Sequence, residues 1–115
     1  MARKPGIEPS RVEDFIEFRD EEFYAQKVYD SDDLRVLTFC FKPGQEMEEV
    51  RVKPSVLLYA FRGEGFFTVG KRERPVMPGA FVVVGPNEAH GVRAGKHGEF
   101  VVLVVIAPSP TGLLE

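Results

Sequence analysis

Between residues 23 and 110 the chain alternates short β-rich runs with turns built from Gly, Pro, Asn and Asp. We predict strands at residues 24–29, 34–41, 49–52, 55–61, 65–69, 80–84, 90–93 and 99–106. Short strands at regular spacing, divided by turn signals, are typical of an antiparallel sandwich or barrel. The pattern therefore predicts an all-β fold, and no linker divides residues 23–110 into two domains.

The two ends of the chain lack this rhythm, so we predict an N-terminal arm at residues 1–22 and a C-terminal tail at residues 111–115. Ser10 and Glu13 have the spacing of a capping box, in which each side chain accepts a hydrogen bond from a free amide at the start of a helix. The arm could therefore contain a short helix with Val12 and Phe15 on its apolar face. Alternatively, its phenylalanines could pack the arm directly onto a sheet.

Composition argues against several classes of protein. A chain of 115 residues has the size of one domain. Its net charge of −3 argues against nucleic-acid binding, which needs a concentrated basic face, and the basic run at 71–74 is interpreted as a solvated turn or strand edge. No stretch approaches the roughly 18 apolar residues of a membrane span. A single cysteine, and a start without the apolar core of a signal peptide, favour a cytoplasmic protein.

Three predicted strands, within 55–61, 80–85 and 99–107, are apolar on both faces. In an antiparallel fold one face of a strand lines the interior, while the other commonly meets water. An apolar outer face would leave a large exposed patch, so it needs cover from a second sheet, from the N-terminal arm or from another subunit. We expect a homodimer to provide that cover.

Two segments keep the spacing of a known pair of motifs. Residues 43–65 read PGQEMEEVRVKPSVLLYAFRGEG, with Gly44 and Gly63 at the ends of a G-x5-H-x-H-x3,4-E-x6-G pattern. Residues 77–95 read MPGAFVVVGPNEAHGVRAG, with Gly79 at the start and His90 at the histidine of a G-x5-P-x-G-x2-H-x3-N pattern. The chain from about residue 24 to residue 110 therefore resembles a small single-domain cupin of the conserved-barrel type.

The resemblance implies a double-stranded β-helix, or jelly-roll barrel, with the motif positions clustered near one mouth. In metal-bearing cupins the first motif supplies two histidines and a glutamate, but here those positions hold Val50, Val52 and Val56. Valine offers no lone pair, and the remaining imidazole of His90 cannot replace the three or so protein ligands that a first-row metal needs. We therefore expect neither a metal nor another cofactor.

The expected function is that of a metal-free, non-enzymatic barrel, which either binds a small, largely apolar molecule or is filled by its own side chains. The candidate ligand-binding residues are His90, Val50, Val52, Val56 and Tyr59. His90 would either orient a ligand through one hydrogen bond or make that bond within the barrel itself.

The alternative is a cupin enzyme of the oxygenase or isomerase type. Such an enzyme would use an atypical metal site, for which Cys40, Glu48 and His90 are the candidates, or acid–base chemistry at His90. Glu48 shares the parity of Val50 if the strand that carries both runs straight. His97 lies in a Gly-rich turn and is predicted to be exposed.

Overall fold

The computed structural model describes residues 9–110, and the fold of this part is almost entirely β, which confirms the predicted class. Residues 1–8 of the predicted N-terminal arm and the predicted C-terminal tail at residues 111–115 lie outside the described residues. A 3₁₀ helix at Val12–Phe15 precedes nine strands: β1 Tyr24–Asp30, β2 Arg35–Phe41, β3 Glu46–Val50, β4 Ser55–Arg62, β5 Gly65–Val69, β6 Arg72–Val76, β7 Phe81–Val84, β8 His90–Ala94 and β9 Phe100–Ala107. No helix in this part of the chain is long and apolar enough to cross a membrane.

The strands form two antiparallel sheets with the core between them. One sheet has five strands in the order β1-β2-β9-β4-β7, and the other has four in the order β3-β8-β5-β6. Successive side chains of a strand point to opposite faces, so the alternating burial along β4 identifies its core face. The main core residues are Leu37, Phe41, Val56, Leu58, Ala60, Phe67, Val84, Val92, Ala94, Phe100, Val102, Val104 and Ile106.

The N-terminal arm packs against the outer face of the five-stranded sheet. Phe15 is buried, and its carbonyl oxygen accepts a hydrogen bond of 2.6 Å from Thr38 Oγ1. Thr38 and Cys40 lie on the face of β2 opposite to the core residues Leu37 and Phe41. The arm therefore covers part of the apolar outer face, as one of the sequence-based alternatives proposes.

The capping box predicted at Ser10 does not form. The N-cap residue is Arg11, and no side chain makes a capping hydrogen bond. The helix is a single 3₁₀ turn that ends at the buried Phe15. Because short helices depend on packing more than on local propensity, burial of this one side chain outweighs the capping signal.

Two strands differ from the sequence-based prediction. β6 is not predicted, because its charged residues and Pro75 are typical of a turn, yet it pairs with β5 as an exposed edge strand. β3 begins at Glu46 rather than at Glu49, and its register against β8 shifts between Met47 and Val50. A shift of this kind breaks the regular alternation of faces on which the prediction depends.

A charged cluster joins the β1–β2 hairpin to the segment after β9. Arg35 is 4% exposed, and its Nε and Nη2 each donate a hydrogen bond of 3.1 Å to the Asp30 carboxylate. Ser109 Oγ donates a further hydrogen bond of 2.7 Å to the same carboxylate. The hydrogen bond from Arg35, followed by that from Ser109, holds the pKa of Asp30 well below its usual range.

Candidate functional site at the barrel mouth

His90 is the first residue of β8, and its side chain faces the barrel interior. It has the parity of Val92 and Ala94, which belong to the core. Antiparallel pairing places it opposite Val50 of β3 on one side and Val69 of β5 on the other. His90 therefore lies between Val50 and Val69 in the four-stranded sheet.

A backbone contact sets the tautomer of His90. Its Nδ1 lies 3.2 Å from the carbonyl oxygen of Glu88. Because a carbonyl oxygen can only accept, Nδ1 donates its proton, and in the neutral ring Nε2 carries the lone pair. Within residues 9–110 Nε2 has no hydrogen-bond partner, whereas every fully buried side-chain nitrogen and oxygen has one. Nε2 therefore reaches solvent, although only 4% of His90 is exposed.

The valines at the three motif positions range from the rim to the core. Val50 is 38% exposed at the rim, Val52 is half-buried against the core, and Val56 is 2% exposed within it. The Asn87 N–H donates a hydrogen bond of 2.8 Å to the Val52 carbonyl, which fixes the loop before β8 against this segment. The three motif positions therefore supply only hydrocarbon side chains, from Val50 opposite His90 at the rim to Val56 in the core.

These side chains do not fit a metal ion. Three of the four positions that supply ligands in metal-bearing cupins hold hydrocarbon here, and first-row metals need about three protein ligands. Among the residues that the structure describes, no group of three or more His, Cys, Asp or Glu could hold a metal. The side chains at the mouth therefore give no basis for a metal-dependent reaction.

The atypical metal ligands suggested by the sequence lie apart from one another. Cys40 is buried on the outer face of β2, where burial raises the pKa of its thiol. Glu48 is exposed and lines a groove on the outside of the four-stranded sheet. The register shift between Met47 and Val50 removes the straight-strand parity that would turn Glu48 inward. Neither side chain joins His90.

Tyr59 lies on the opposite side of β4 from the mouth. Val56 and Ala60 of this strand are buried in the core, whereas Tyr59 between them is half-exposed. Tyr59 pairs with Phe81 of β7 and with Leu103 of β9. Because side chains of odd and even residues point to opposite faces, Tyr59 belongs to the outer face and not to the barrel interior.

Two concave surfaces lie on the outer face of the four-stranded sheet, with volumes of about 220 and 320 Å³, and they share Arg93. The Arg93 guanidinium lies 4.0 Å from the centre of the Phe66 ring, and its Nη2 donates a hydrogen bond of 3.0 Å to Glu73. The sequence signal for this position is the alternation of Arg93 with the core residues Val92 and Ala94. The Arg93 guanidinium is therefore already paired with the Phe66 ring and the Glu73 carboxylate within the protein.

No protein-family model matches the sequence, and no curated protein matches it. Solved structures are similar. TT1209 from Thermus thermophilus has a TM-score of 0.84 at 24% identity, over 89% of this chain and 98% of that one. An RmlC-like cupin protein from Desulfovibrio desulfuricans has a TM-score of 0.73 at 31% identity, over 94% of this chain and 97% of that one. The DMSP lyase DddQ from Ruegeria pomeroyi has a TM-score of 0.69 at 21% identity, over 82% of this chain and 49% of that one.

These likenesses decide the family and not the activity. The likeness to the DMSP lyase, at 21% identity, shows a shared fold alone. The likeness to the RmlC-like cupin reaches 31% identity over nearly the whole of both chains. It agrees with the motif spacing around Gly44, Gly63 and His90 and with the two facing antiparallel sheets. The chain therefore belongs to the cupin family and folds as a double-stranded β-helix.

Proposed function

We propose that this protein is a metal-free, non-enzymatic cupin whose barrel mouth binds a small, largely apolar molecule. The observation that carries the proposal is the placement of His90 Nε2. In the neutral ring this nitrogen is an acceptor that reaches solvent, and Val50 lies opposite His90 in the neighbouring strand, with the apolar side chains of Val52 and Val56 following along the chain. Apolar side chains with a few oriented polar groups are the usual lining of a small-molecule site.

The two parts of this mouth contribute differently to binding. The valines favour a ligand through burial of its hydrocarbon, at about 25 cal/mol for each Å² removed from water. His90 orients the ligand, because Nε2 accepts a hydrogen bond from a ligand hydroxyl or amine. The contact between Nδ1 and the Glu88 carbonyl keeps the ring in the tautomer that this role requires.

The metal-free state is part of the proposal. It is supported by the side chains at Val50, Val52 and Val56, which cannot coordinate a cation, and by the separation of Cys40 and Glu48 from the mouth. A small protein with a single cysteine that stays a free, buried thiol fits a reducing compartment, so we place it in the cytoplasm. We also propose that it acts as a homodimer.

The same nitrogen supports a second candidate function, which is proton abstraction by His90 from a small substrate. A free imidazole nitrogen near an apolar mouth can act as a general base. The partner of its Nδ1 is the carbonyl oxygen of Glu88 rather than a carboxylate, so the ring lacks the charged orienting group of a typical catalytic histidine. The binding role is therefore preferred over the catalytic one.

Phenol and toluene are matched probes for the binding role, since they have similar size and only phenol donates a hydrogen bond. In NMR titrations we expect phenol to shift the signals of Val50, Val69 and His90, and to bind about threefold to tenfold more tightly than toluene. His90→Ala should remove this preference. His97→Ala changes the exposed histidine and should keep it. Equal affinity of the two probes for the wild type, or no binding of either, would contradict the proposal.

A further inference from the structure

Edge strands of a sheet carry unpaired backbone groups, and soluble proteins usually protect them with charges, prolines or bulges. Three of the four edges in the described part of this barrel have such protection. β1 carries Lys27 and a register shift after it, and β3 carries three exposed glutamates and a register shift. β6 carries two arginines, a glutamate and Pro75.

The fourth edge, β7, has none of these protections. From Met77 to Gly85 the sequence MPGAFVVVG contains no charged residue. The pairing of β7 with β4 is regular, without a register shift. Phe81 and Val83 are 65% and 59% exposed, and Met77 just before the strand is 62% exposed. An apolar, regular and uncharged edge of this kind is the type that pairs with another strand.

The backbone of β7 presents its free hydrogen-bonding groups at the same two residues. In an antiparallel pair, hydrogen-bonded and non-hydrogen-bonded residue pairs alternate. The Ala60 N–H donates to the Ala80 carbonyl, so the pair of Tyr59 and Phe81 and the pair of Leu57 and Val83 are of the non-hydrogen-bonded kind. The N–H and C=O groups of Phe81 and Val83 therefore point away from β4, toward the open edge.

The C-terminal residues 111–115 are too short to fill this edge. They follow Pro110, next to Ser109, whose N–H donates to the Asp32 carbonyl in the turn between β1 and β2, at the far side of the five-stranded sheet. Three to four strand spacings of about 4.8 Å separate this turn from β7, or roughly 14–19 Å. Five residues span at most about 18 Å when fully extended, so at most about one would remain to run along β7.

The N-terminal residues 1–8 are a poor match for the same edge. Their sequence, MARKPGIE, contains three charged residues and a proline, and it lacks the alternating apolar pattern of a strand. A second copy of β7 is a better match, because two such strands are equally apolar and uncharged and each offers free donors and acceptors. Antiparallel pairing about a two-fold axis satisfies both copies at once.

We propose that β7 pairs with β7 of a second copy of this chain, which joins the two five-stranded sheets into one continuous sheet. The apolar outer face beside β7 carries Leu57, Tyr59, Leu103 and Val105, so the second copy would also approach side chains that the N-terminal arm leaves partly exposed. The inference rests on the homodimer proposed above and specifies its interface. Ligand binding at the mouth does not enter it.

A matched pair of substitutions tests the interface. Val83→Lys places a charge on the open edge at an exposed position, and Ala25→Lys places the same charge at an exposed position on the opposite edge of the same sheet. In sedimentation velocity at micromolar concentration we expect the wild type and Ala25→Lys to be dimers. Val83→Lys should keep the wild-type circular dichroism and self-associate at least about tenfold more weakly.

Hydrogen exchange on the wild type provides a test that needs no variant. The amides of Phe81 and Val83 should be protected at high protein concentration and exchange quickly after dilution below the dissociation constant. A wild type that is monomeric at micromolar concentration would overturn the proposal, whether or not these amides are protected by another segment. A Val83→Lys variant that dimerises as tightly as the wild type would overturn it too. Neither result affects the phenol and toluene titration, so the two proposals fail separately.

Discussion

The two ends of the barrel are built from different kinds of side chain. At the end opposite to the mouth, which we call the closed end, Phe41 and Phe100 are fully buried, with ring centres 6.0 Å apart, and the Phe67 ring centre lies 6.1 Å from that of Phe100. At the mouth Val50 is 38% exposed, and His90 has one nitrogen that reaches solvent. Aromatic rings in contact bury far more surface than these valines, so the closed end contributes most of the packing energy.

The difference explains how the cupin fold can carry valines at positions 50, 52 and 56 and still be stable. Glycines serve the fold in two ways: Gly44 and Gly79 have positive φ values in turns, whereas Gly63 and Gly65 leave room for neighbouring atoms. Gly65, for example, leaves room for the Phe100 ring, and a Cβ atom there would come within 2.5 Å of that ring. The positions of the missing ligands lie between the rim and the upper core. Their side chains can therefore change from coordinating to apolar without moving the aromatic cluster.

The largest effect is expected from a substitution at the closed end. Phe100→Ala should reduce the free energy of unfolding by about 3–5 kcal/mol, because it removes a fully buried ring and leaves a cavity. Val50→Ala at the rim should reduce it by less than about 1 kcal/mol. Urea unfolding of both variants measures the contrast. Equal losses would show that the mouth and the closed end contribute alike to folding.

A smaller effect separates two glycines of the first motif. Gly44 and Gly63 have φ values of +80° and +81°, so alanine at either should cost about 1–2 kcal/mol in backbone strain. A Cβ atom at Gly63 would also overlap the carbonyl oxygen of Glu99, whereas one at Gly44 would meet no atom within 4 Å. We expect Gly63→Ala to lose a further 1–3 kcal/mol or so through overpacking. Thermal unfolding of the two variants checks the order.

The charged cluster around Asp30 should make stability depend on acid. The pKa of Asp30 is lower in the folded chain than its ordinary value of 3.8, because its ionised form accepts hydrogen bonds from Arg35 and Ser109. This stabilisation is complete above the ordinary value and is lost as the pH falls below it. Asp30→Asn should therefore be less stable at neutral pH and should show a flatter acid dependence in thermal melts.

Asp33→Asn is the matched control for this experiment, because Asp33 lies in the neighbouring turn without a salt bridge among the described residues. It should melt as the wild type does at each pH. If Asp30→Asn and the wild type lose stability in parallel between about pH 5 and pH 2, other carboxylates govern the acid dependence.

The sequence predicts the frame of this protein well, for a physical reason. Strand spacing and turn glycines follow from backbone geometry, which is local, so Gly44, Gly63 and the inward-facing His90 can be recognised by their positions alone. The sequence also shows directly that Val50 and Val52 have no metal-coordinating atoms, because this depends only on the chemistry of the side chain.

Other placements depend on contacts that the sequence does not encode locally. β4 is apolar on both faces, so its pattern cannot tell which face holds Tyr59, and only the pairing with β7 and β9 decides. Glu48 lies within a register shift, between Met47 and Val50, that has no clear marker in the sequence. β6 carries the charged residues that are typical of an edge strand, and the same charges make its sequence look like a turn.

Elemental analysis of the purified wild-type protein tests the central claim most directly, that the mouth is apolar and metal-free. The protein should be produced in medium that contains Mn, Fe, Ni, Cu and Zn, and its metal content measured together with that of His90→Ala. We expect far less than one transition-metal ion per chain in both samples, because Val50, Val52 and Val56 provide no ligand. About one ion per wild-type chain, lost in His90→Ala, would contradict the account.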